Sequence, residues 1–217
     1  MKKYELTDDS ITVMGHKLFR IRAIRSFNGV NVGDLGGYIE KEANLSHDDN
    51  AWISDNACVY GYARICDDAH ISGNARIYNN ACIYDDVHIS GYAYIYNDAR
   101  ICDNACISGC ACIYDNVCIS GNACISDNAC VYGYARICDD AWIHSETDYL
   151  CFKGLGSQNR NTTFFKCKDG HIHVSCGCFS GSIQEFETKI KKTHGDSKYA
   201  KEYLACIEVV KIHFEKE

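Results

Sequence analysis

Small and branched apolar residues alternate with polar residues in a six-residue repeat that fills the middle of the chain. Sixteen consecutive units, beginning at Ala51 and ending with the unit that opens at Ala141, place Ala or Val first and Ile or Val third. Side chains alternate along a strand, so these two positions share one side. The fifth and sixth positions are mostly Asp, Asn and Gly, which tolerate tight corners. Each unit is therefore predicted to be a short strand followed by a corner, and the spacing excludes an amphipathic helix.

The fourth position of the units has a second period of three units, or eighteen residues. One series is serine at 54, 72, 90, 108 and 126, and another is the tyrosine ladder, defined as Tyr60, Tyr78, Tyr96, Tyr114 and Tyr132. Three strands per coil would place residues eighteen apart above one another, at the inter-strand spacing of about 4.8 Å. The sequence thus predicts a mainly β fold, a three-sided parallel β-helix of about five coils over residues 51–146.

The two ends of the chain differ from the repeat. Residues 1–50 are predicted to form a small amino-terminal β cap, with strands at 4–6 and 11–13 around a turn at 8–10, then a strand at 17–24. Residues 147–217 are predicted to form a carboxy-terminal α+β module. Its hairpin would turn at 168–170, and its helices would run from about Ser182 to Lys192 and from about Ser197 to Phe214.

The repeat resembles the hexapeptide-repeat family through segments such as Ile65-Cys66-Asp67-Asp68-Ala69 and Ile119-Ser120-Gly121-Asn122-Ala123. The resemblance covers residues 51–146 and implies a left-handed coil of triangular section, as in the hexapeptide-repeat acyltransferases. The end modules, with segments 154–163, 174–179 and 193–196, resemble those that flank hexapeptide arrays in bacteriophage and prophage proteins. That second resemblance carries no catalytic residue.

Composition and charge narrow the possible partners. Residues 43–148 hold fourteen Asp, one Glu, four Arg and no Lys, a net charge of −11, which argues against nucleic acid as a ligand of the repeat. No apolar run reaches membrane-span length, and residues 1–5 lack a signal-peptide pattern, so we expect a cytoplasmic protein with no membrane partner. The sixteen cysteines mostly occupy repeat positions and are expected to be reduced thiols.

Two histidines one coil apart, His70 and His88, are weak catalytic candidates. The resemblance to acyltransferases implies a histidine general base and an acyl-coenzyme A cofactor. However, the array runs from Ala51 to Ile143 without the inserted loops that shape an acyl-donor site in such enzymes. The expectation is therefore that neither histidine is catalytic and that no cofactor is used, with acyl-coenzyme A belonging to the alternative.

A tyrosine face is the preferred docking surface. It comprises the tyrosine ladder together with Arg76 and Tyr94, and it is aromatic, flat and nearly uncharged. The alternative is that the ladder only stabilises its own stack. A separate candidate is Arg160, which with nearby backbone donors could bind an anionic group.

Several carboxy-terminal residues invite a zinc hypothesis: His171, His173, Cys176, Cys178 and His194. Strand alternation separates the first two from the two cysteines, so Cys176, Cys178 and His194 remain weak metal candidates and no metal is expected.

The uninterrupted array and the capped ends favour a non-catalytic binding protein; the resemblance to phage and prophage proteins implies a phage type, with inhibition of a bacterial defence component as one role. It would bind a host protein or a small ligand through a β-helix face or between the subunits of a homo-oligomer, with the trimer typical of the family as one form. Two alternatives stay open: a hexapeptide-repeat acyltransferase that uses acyl-coenzyme A, and a structural assembly protein.

Overall fold

The computed structural model describes residues 1–215 and contains a three-sided parallel β-solenoid, which confirms the expected left-handed β-helix architecture. Each unit of the repeat contributes one two-residue strand, and each strand pairs with the strand eighteen residues away. Three parallel sheets result, which we name after a characteristic residue of each. The predicted threefold division of the repeat is therefore confirmed.

The tyrosine sheet contains β5 (Cys58–Val59), β8 (Arg76–Ile77), β11 (Tyr94–Ile95), β14 (Cys112–Ile113) and β17 (Cys130–Val131). The histidine sheet contains β4 (Trp52–Ile53), β7 (His70–Ile71), β10 (His88–Ile89), β13 (Cys106–Ile107), β16 (Cys124–Ile125) and β19 (Trp142–Ile143). The arginine sheet contains β6 (Arg64–Ile65), β9 (Cys82–Ile83), β12 (Arg100–Ile101), β15 (Cys118–Ile119) and β18 (Arg136–Ile137).

The interior of the solenoid consists of the first and third residues of the units. Ala93 and Ile95 are fully buried, and the equivalent Ala, Val and Ile positions along the repeat are at most 1% exposed. Small residues beside branched ones let the three sheets pack closely around the axis. This core is continuous from coil to coil, so the coils are held by stacked apolar side chains and by the backbone hydrogen bonds between them.

The corners depend on left-handed backbone at the fifth position. The first fifteen units all have a positive φ there, between +53° and +71°, and Asp, Asn or Gly occupies each of these positions. Several corner aspartates also accept a hydrogen bond from the next coil: the amide of Gly73 donates to Asp55 over 2.9 Å, and that of Gly121 donates to Asp103 over 2.8 Å. Corner aspartate thus has a structural role in addition to its charge.

The amino-terminal strands extend the tyrosine sheet. They are β1 (Tyr4–Val13), β2 (His16–Ala23) and β3 (Leu35–Ile39), of which β3 pairs in parallel with β5. Leu45 also bridges to Ile65, after a short 3₁₀ turn at Glu42–Asn44. Residues before Ala51 therefore supply most of one more coil, so the solenoid has about six turns, in rough agreement with the five coils predicted for residues 51–146.

The predicted turn at residues 8–10 is wrong. The register shifts between Leu6 and Ser10, so the intervening residues bulge from a single strand that stays paired with β2 on both sides. The true hairpin turn lies at Met14 and Gly15, both with positive φ, which is the backbone that a tight two-residue hairpin requires.

The carboxy-terminal module is an antiparallel sheet covered by two helices. The sheet comprises β20 (Tyr149–Leu155), β21 (Arg160–Lys166), β22 (Ile172–Cys176) and β23 (Phe179–Ser182), and the helices are α1 (Ile183–His194) and α2 (Lys198–Phe214). Ser182 and Ser197 cap the helices by accepting hydrogen bonds from the amides of Glu185 and Ala200. The hairpin and both helices agree with the predictions; the predicted domain boundaries at 50 and 146 stay predictions.

The carboxy-terminal sheet closes the last coil. A second 3₁₀ turn at Glu146–Asp148 leads into β20, and Tyr149 and Phe165 join the apolar core of the solenoid. Within residues 1–215, no helix is long and apolar enough to cross a bilayer.

Replacing Ile95 by Ala should destabilise the protein by about 2–5 kcal/mol, because the vacated space lies in a close-packed column. Urea denaturation would measure the loss of free energy of unfolding. The matched control is Ile212→Ala, since Ile212 is 70% exposed and its truncation should change stability by no more than about 0.5 kcal/mol. Equal effects of the two substitutions would contradict the described core.

Candidate functional sites on the solenoid and the carboxy-terminal module

The tyrosine ladder forms one continuous stack. Successive ring centroids from Tyr60 to Tyr132 are 5.0, 4.9, 5.1 and 5.3 Å apart, and the rings are within 9° of parallel. The expectation that Tyr78 and Tyr96 share one wall is confirmed. Beside the ladder, the guanidinium of Arg76 lies 5.7 Å from the ring centroid of Tyr94.

The amino-terminal hairpin covers the first rungs of this ladder. Tyr60 is only 2% exposed and packs with Leu18, while its hydroxyl contacts the sulfur of Met14 at 3.6 Å. Tyr78 packs at the margin of the same cluster, whereas Tyr132 is 44% exposed. The predicted binding face therefore excludes Tyr60, and its accessible part is the half of the ladder nearer the carboxy-terminal module.

Acidic side chains concentrate on the edge between the arginine and histidine sheets, which we call the acidic edge. Its aspartates are Asp67, Asp68, Asp85, Asp86, Asp103, Asp139 and Asp140. In a three-sided solenoid this edge lies opposite the tyrosine sheet, because the tyrosine sheet is the one side that does not meet it. The negative charge of the repeat is thus directed away from the tyrosine face.

His70 and His88 stack on the flat histidine sheet with ring centroids 5.6 Å apart. Burial, and then the neighbouring His88, lower the pKa of His70, so its imidazole is neutral at physiological pH. Trp52 and Cys106 continue the column in the two directions. The two histidines are adjacent, as predicted, at paired positions of neighbouring strands in the histidine sheet.

Four residues that the sequence identified separately line one cleft of about 90 Å³ in the carboxy-terminal module: Arg160, Cys176, Cys178 and His194. Its remaining lining residues are polar (Lys189, Thr193 and Tyr203) or apolar (Phe179, Phe186 and Ile190). We call this site the basic cleft. The start of β21, the end of β22, α1 and α2 all contribute, so the fold and not the local sequence assembles it.

Two glycines let the backbone approach the side chains of the basic cleft. A Cβ at Gly177 would lie within 2.4 Å of the Arg160 guanidinium, and one at Gly156 would lie within 2.4 Å of the Tyr203 hydroxyl. Both glycines have positive φ, at +62° and +68°. The hydroxyl of Tyr203 donates to the carbonyl of Leu155 over 3.3 Å, and its ring stacks with His194 at 5.8 Å. Tyr203, which is 5% exposed, is therefore held by packing and by this hydrogen bond, whereas Arg160 is exposed at the mouth of the cleft.

The weak metal candidates do not converge in the way that a metal site requires. Among the described residues, Cys176, Cys178 and His194 form no group of three ligand atoms within 4.8 Å of one another. Cys176 instead accepts a hydrogen bond from Thr162 over 3.1 Å within the module core. Such groups do form around His173, with Cys167 and His171 and with Cys138 and Asp139. The zinc hypothesis from the sequence included His171 and His173 but not Cys167, Cys138 or Asp139.

No family model matches this sequence, and no curated protein is significantly similar to it.

We expect the pKa of His70 to rise towards 6.5 when His88 is replaced by Ala, because a neighbouring positive charge and part of the burial are removed. Because folding lowers the pKa of His70, the unfolded chain binds the proton more readily, so this residue reduces stability as the pH falls below 6.5. An NMR titration of the His70 ring in the two proteins measures the change in pKa, from which the pH dependence of stability follows. A His70 that titrates identically in the two proteins would contradict the arrangement.

Proposed function

We propose that the protein is a non-catalytic binding protein that holds an anionic group of a small ligand in the basic cleft. One observation carries the proposal: the fold brings Arg160, at the start of β21, into one cleft with Lys189 and His194 of α1. The proposed setting is a phage-encoded protein in the host bacterial cytoplasm, where it would inhibit a defence component by binding. That setting rests on the likeness of the end modules to those of phage and prophage proteins.

The chemistry of the cleft favours an oxyanion. The guanidinium of Arg160 presents paired donors that match phosphate or carboxylate oxygens, and Lys189 adds a second positive charge. The carboxy-terminal residues 149–217 carry eleven Lys or Arg against eight Asp or Glu, whereas the repeat is acidic. An anion would therefore be attracted to the module and repelled by the acidic repeat.

The size of the cleft limits what enters it. A volume of about 90 Å³ is well below the roughly 300–1,000 Å³ of pockets that enclose a whole small ligand. A neighbouring hollow of about 150 Å³ shares Arg160, His194 and Tyr203 and continues towards Ser157 and Gln158. The ligand would thus place a phosphate or carboxylate group against Arg160 and lay its remaining part along this hollow.

Inorganic phosphate should raise the melting temperature of the protein at constant ionic strength, and Arg160→Ala should abolish the rise. At about ten times the dissociation constant, binding stabilises by about 1.4 kcal/mol, which corresponds to a rise of about 3–6 °C for a chain of this size. The matched control is Arg64→Ala, an exposed arginine on the arginine sheet that should respond like the parent protein. A parent protein that responds no more than Arg160→Ala would contradict the proposal.

The same melting-temperature assay also tests the acyltransferase alternative. That alternative is favoured by the neutral His70 beside His88, and it predicts stabilisation by acetyl-coenzyme A that His70→Ala or His88→Ala removes. Because coenzyme A also carries phosphates, its effect must survive Arg160→Ala to support the alternative. Loss of the effect with Arg160 alone would instead support the basic cleft.

The tyrosine face is proposed to bind a second copy of the chain. Tyr96, Tyr114 and Tyr132 offer a flat aromatic strip, and residues of this kind are enriched at interfaces. Packing of tyrosine faces against one another would direct each acidic edge outwards, so the negative edges of the copies stay apart. A host protein with a basic surface would be attracted most strongly to the acidic edge and not to the tyrosine face.

Tyr96→Lys should dissociate the oligomer, because a charge at the centre of the strip would be buried without a partner. Light scattering coupled to size-exclusion chromatography gives the mass of each variant. The control is Tyr84→Lys, which places the same change on the arginine-sheet side of the solenoid. A parent protein that is monomeric would contradict the proposal, and a mass that grows with concentration would favour a structural assembly protein.

A further inference from the structure

The carboxy-terminal hairpin and the last coil bring together a set of side chains that we call the junction cluster: Cys138, Asp139, Cys167, His171 and His173. Cys138 and Asp139 lie at the corner that follows β18, and the other three flank the turn between β21 and β22. Two backbone contacts fix the meeting of these segments. Cys167 bridges to Ala141, and the amide of Lys168 donates to the carbonyl of Asp140 over 3.0 Å.

The distances within the junction cluster suit a metal ion. The Cys167 thiol and one ring nitrogen each of His171 and His173 all lie within 4.8 Å of one another. The same holds for the Cys138 thiol, an Asp139 carboxylate oxygen and a ring nitrogen of His173. His173 therefore belongs to both groups and joins the hairpin to the last coil.

The surroundings of the ligands are already ordered. The side chain of His173 is 12% exposed, stacks on Phe165 with ring centroids 5.2 Å apart, and contacts an oxygen of Asp139 at 3.1 Å. Cys167 is 5% exposed. The Asp169 carboxylate contacts the Nδ1 atom of His171, and a carboxylate on one ring nitrogen is the usual outer partner of a metal-bound histidine.

The geometry points to a zinc site in which Cys167, His171 and His173 are three ligands and the corner of the last coil, through Cys138 or Asp139, supplies the fourth. Two thiols, two imidazoles and one carboxylate form the borderline-soft set that Zn²⁺ prefers, whereas Ca²⁺ and Mg²⁺ require mainly oxygen ligands. Four protein ligands close the coordination sphere, which is typical of a structural site. The ion would tie the carboxy-terminal module to the end of the solenoid.

The side chains of the junction cluster are also placed to form a hydrogen-bonded network without a metal ion. The Nε2 atom of His173 lies 2.7 Å from the Ser180 hydroxyl, which in turn donates to Asp139 over 3.1 Å. The test must therefore separate a zinc site from a hydrogen-bonded network. It must also separate this site from adventitious binding to the other thiols, since the chain has sixteen cysteines.

The experiment measures zinc binding to the full chain by competition with a chromophoric chelator, together with the absorption spectrum of the Co²⁺-substituted protein. The parent protein should bind one Zn²⁺ per chain at high affinity, and its Co²⁺ form should show thiolate charge transfer and tetrahedral bands. His171→Ala and Cys167→Ser should each weaken this binding at least about tenfold, since each loses a direct ligand. Cys138→Ser and Asp139→Asn identify the fourth ligand by the same loss.

Matched controls are His213→Ala and Cys178→Ser, which remove an exposed imidazole and an exposed thiol outside the cluster and should leave the affinity unchanged. His171 is itself exposed, so His171→Ala keeps the test valid if Cys167→Ser fails to fold. The inference is overturned if the parent protein binds no zinc more tightly than His171→Ala does. It is equally overturned if the controls lower the affinity as much as the cluster variants, or if the Co²⁺ spectrum lacks a thiolate band.

Discussion

Vertical registry of equivalent residues is the constraint on which the rest of the structure depends. Each strand hydrogen-bonds to the strand one coil away, and each isoleucine packs on the isoleucine of that coil. A strand of two residues buries too little to be stable by itself. The coils are consequently stable only as a stack. Equivalent side chains on the surface therefore repeat at the spacing between neighbouring coils. The parallel rings of the tyrosine ladder and the paired imidazoles of His70 and His88 are direct products of it.

A stack of this kind has two open ends, and the chain closes each in a different way. At the start, β1 and β2 extend the tyrosine sheet and fold over its first rung, so that Tyr60 becomes part of a small apolar cluster. At the finish, an antiparallel sheet places Tyr149 and Phe165 under the last coil. Residues of both end modules thus cover the apolar core that the first and last coils would otherwise expose. The closures also create the recessed features of the molecule, since the basic cleft and the junction cluster both lie in or beside the carboxy-terminal module.

The sequence was most informative where the structure repeats. The shared wall of Tyr78 and Tyr96 follows from spacing alone, because equivalent positions in a solenoid must coincide. It was less informative where distant segments meet. The burial of Tyr60 depends on a hairpin more than forty residues away, and the partnership of Asp139 with His173 joins the last coil to a later hairpin. Composition misled at residues 8–10, where typical turn residues form a bulge because strand pairing continues on both sides.

The near identity of successive coils has a consequence for how such a chain can change over evolutionary time. Loss or duplication of one eighteen-residue segment inside the repeat would leave every remaining coil seated on an equivalent neighbour, so both terminal modules would keep their docking sites. The distance between those modules is therefore adjustable in whole-coil increments through simple in-frame recombination. The solenoid can therefore become longer or shorter while the residues of its two terminal modules stay the same.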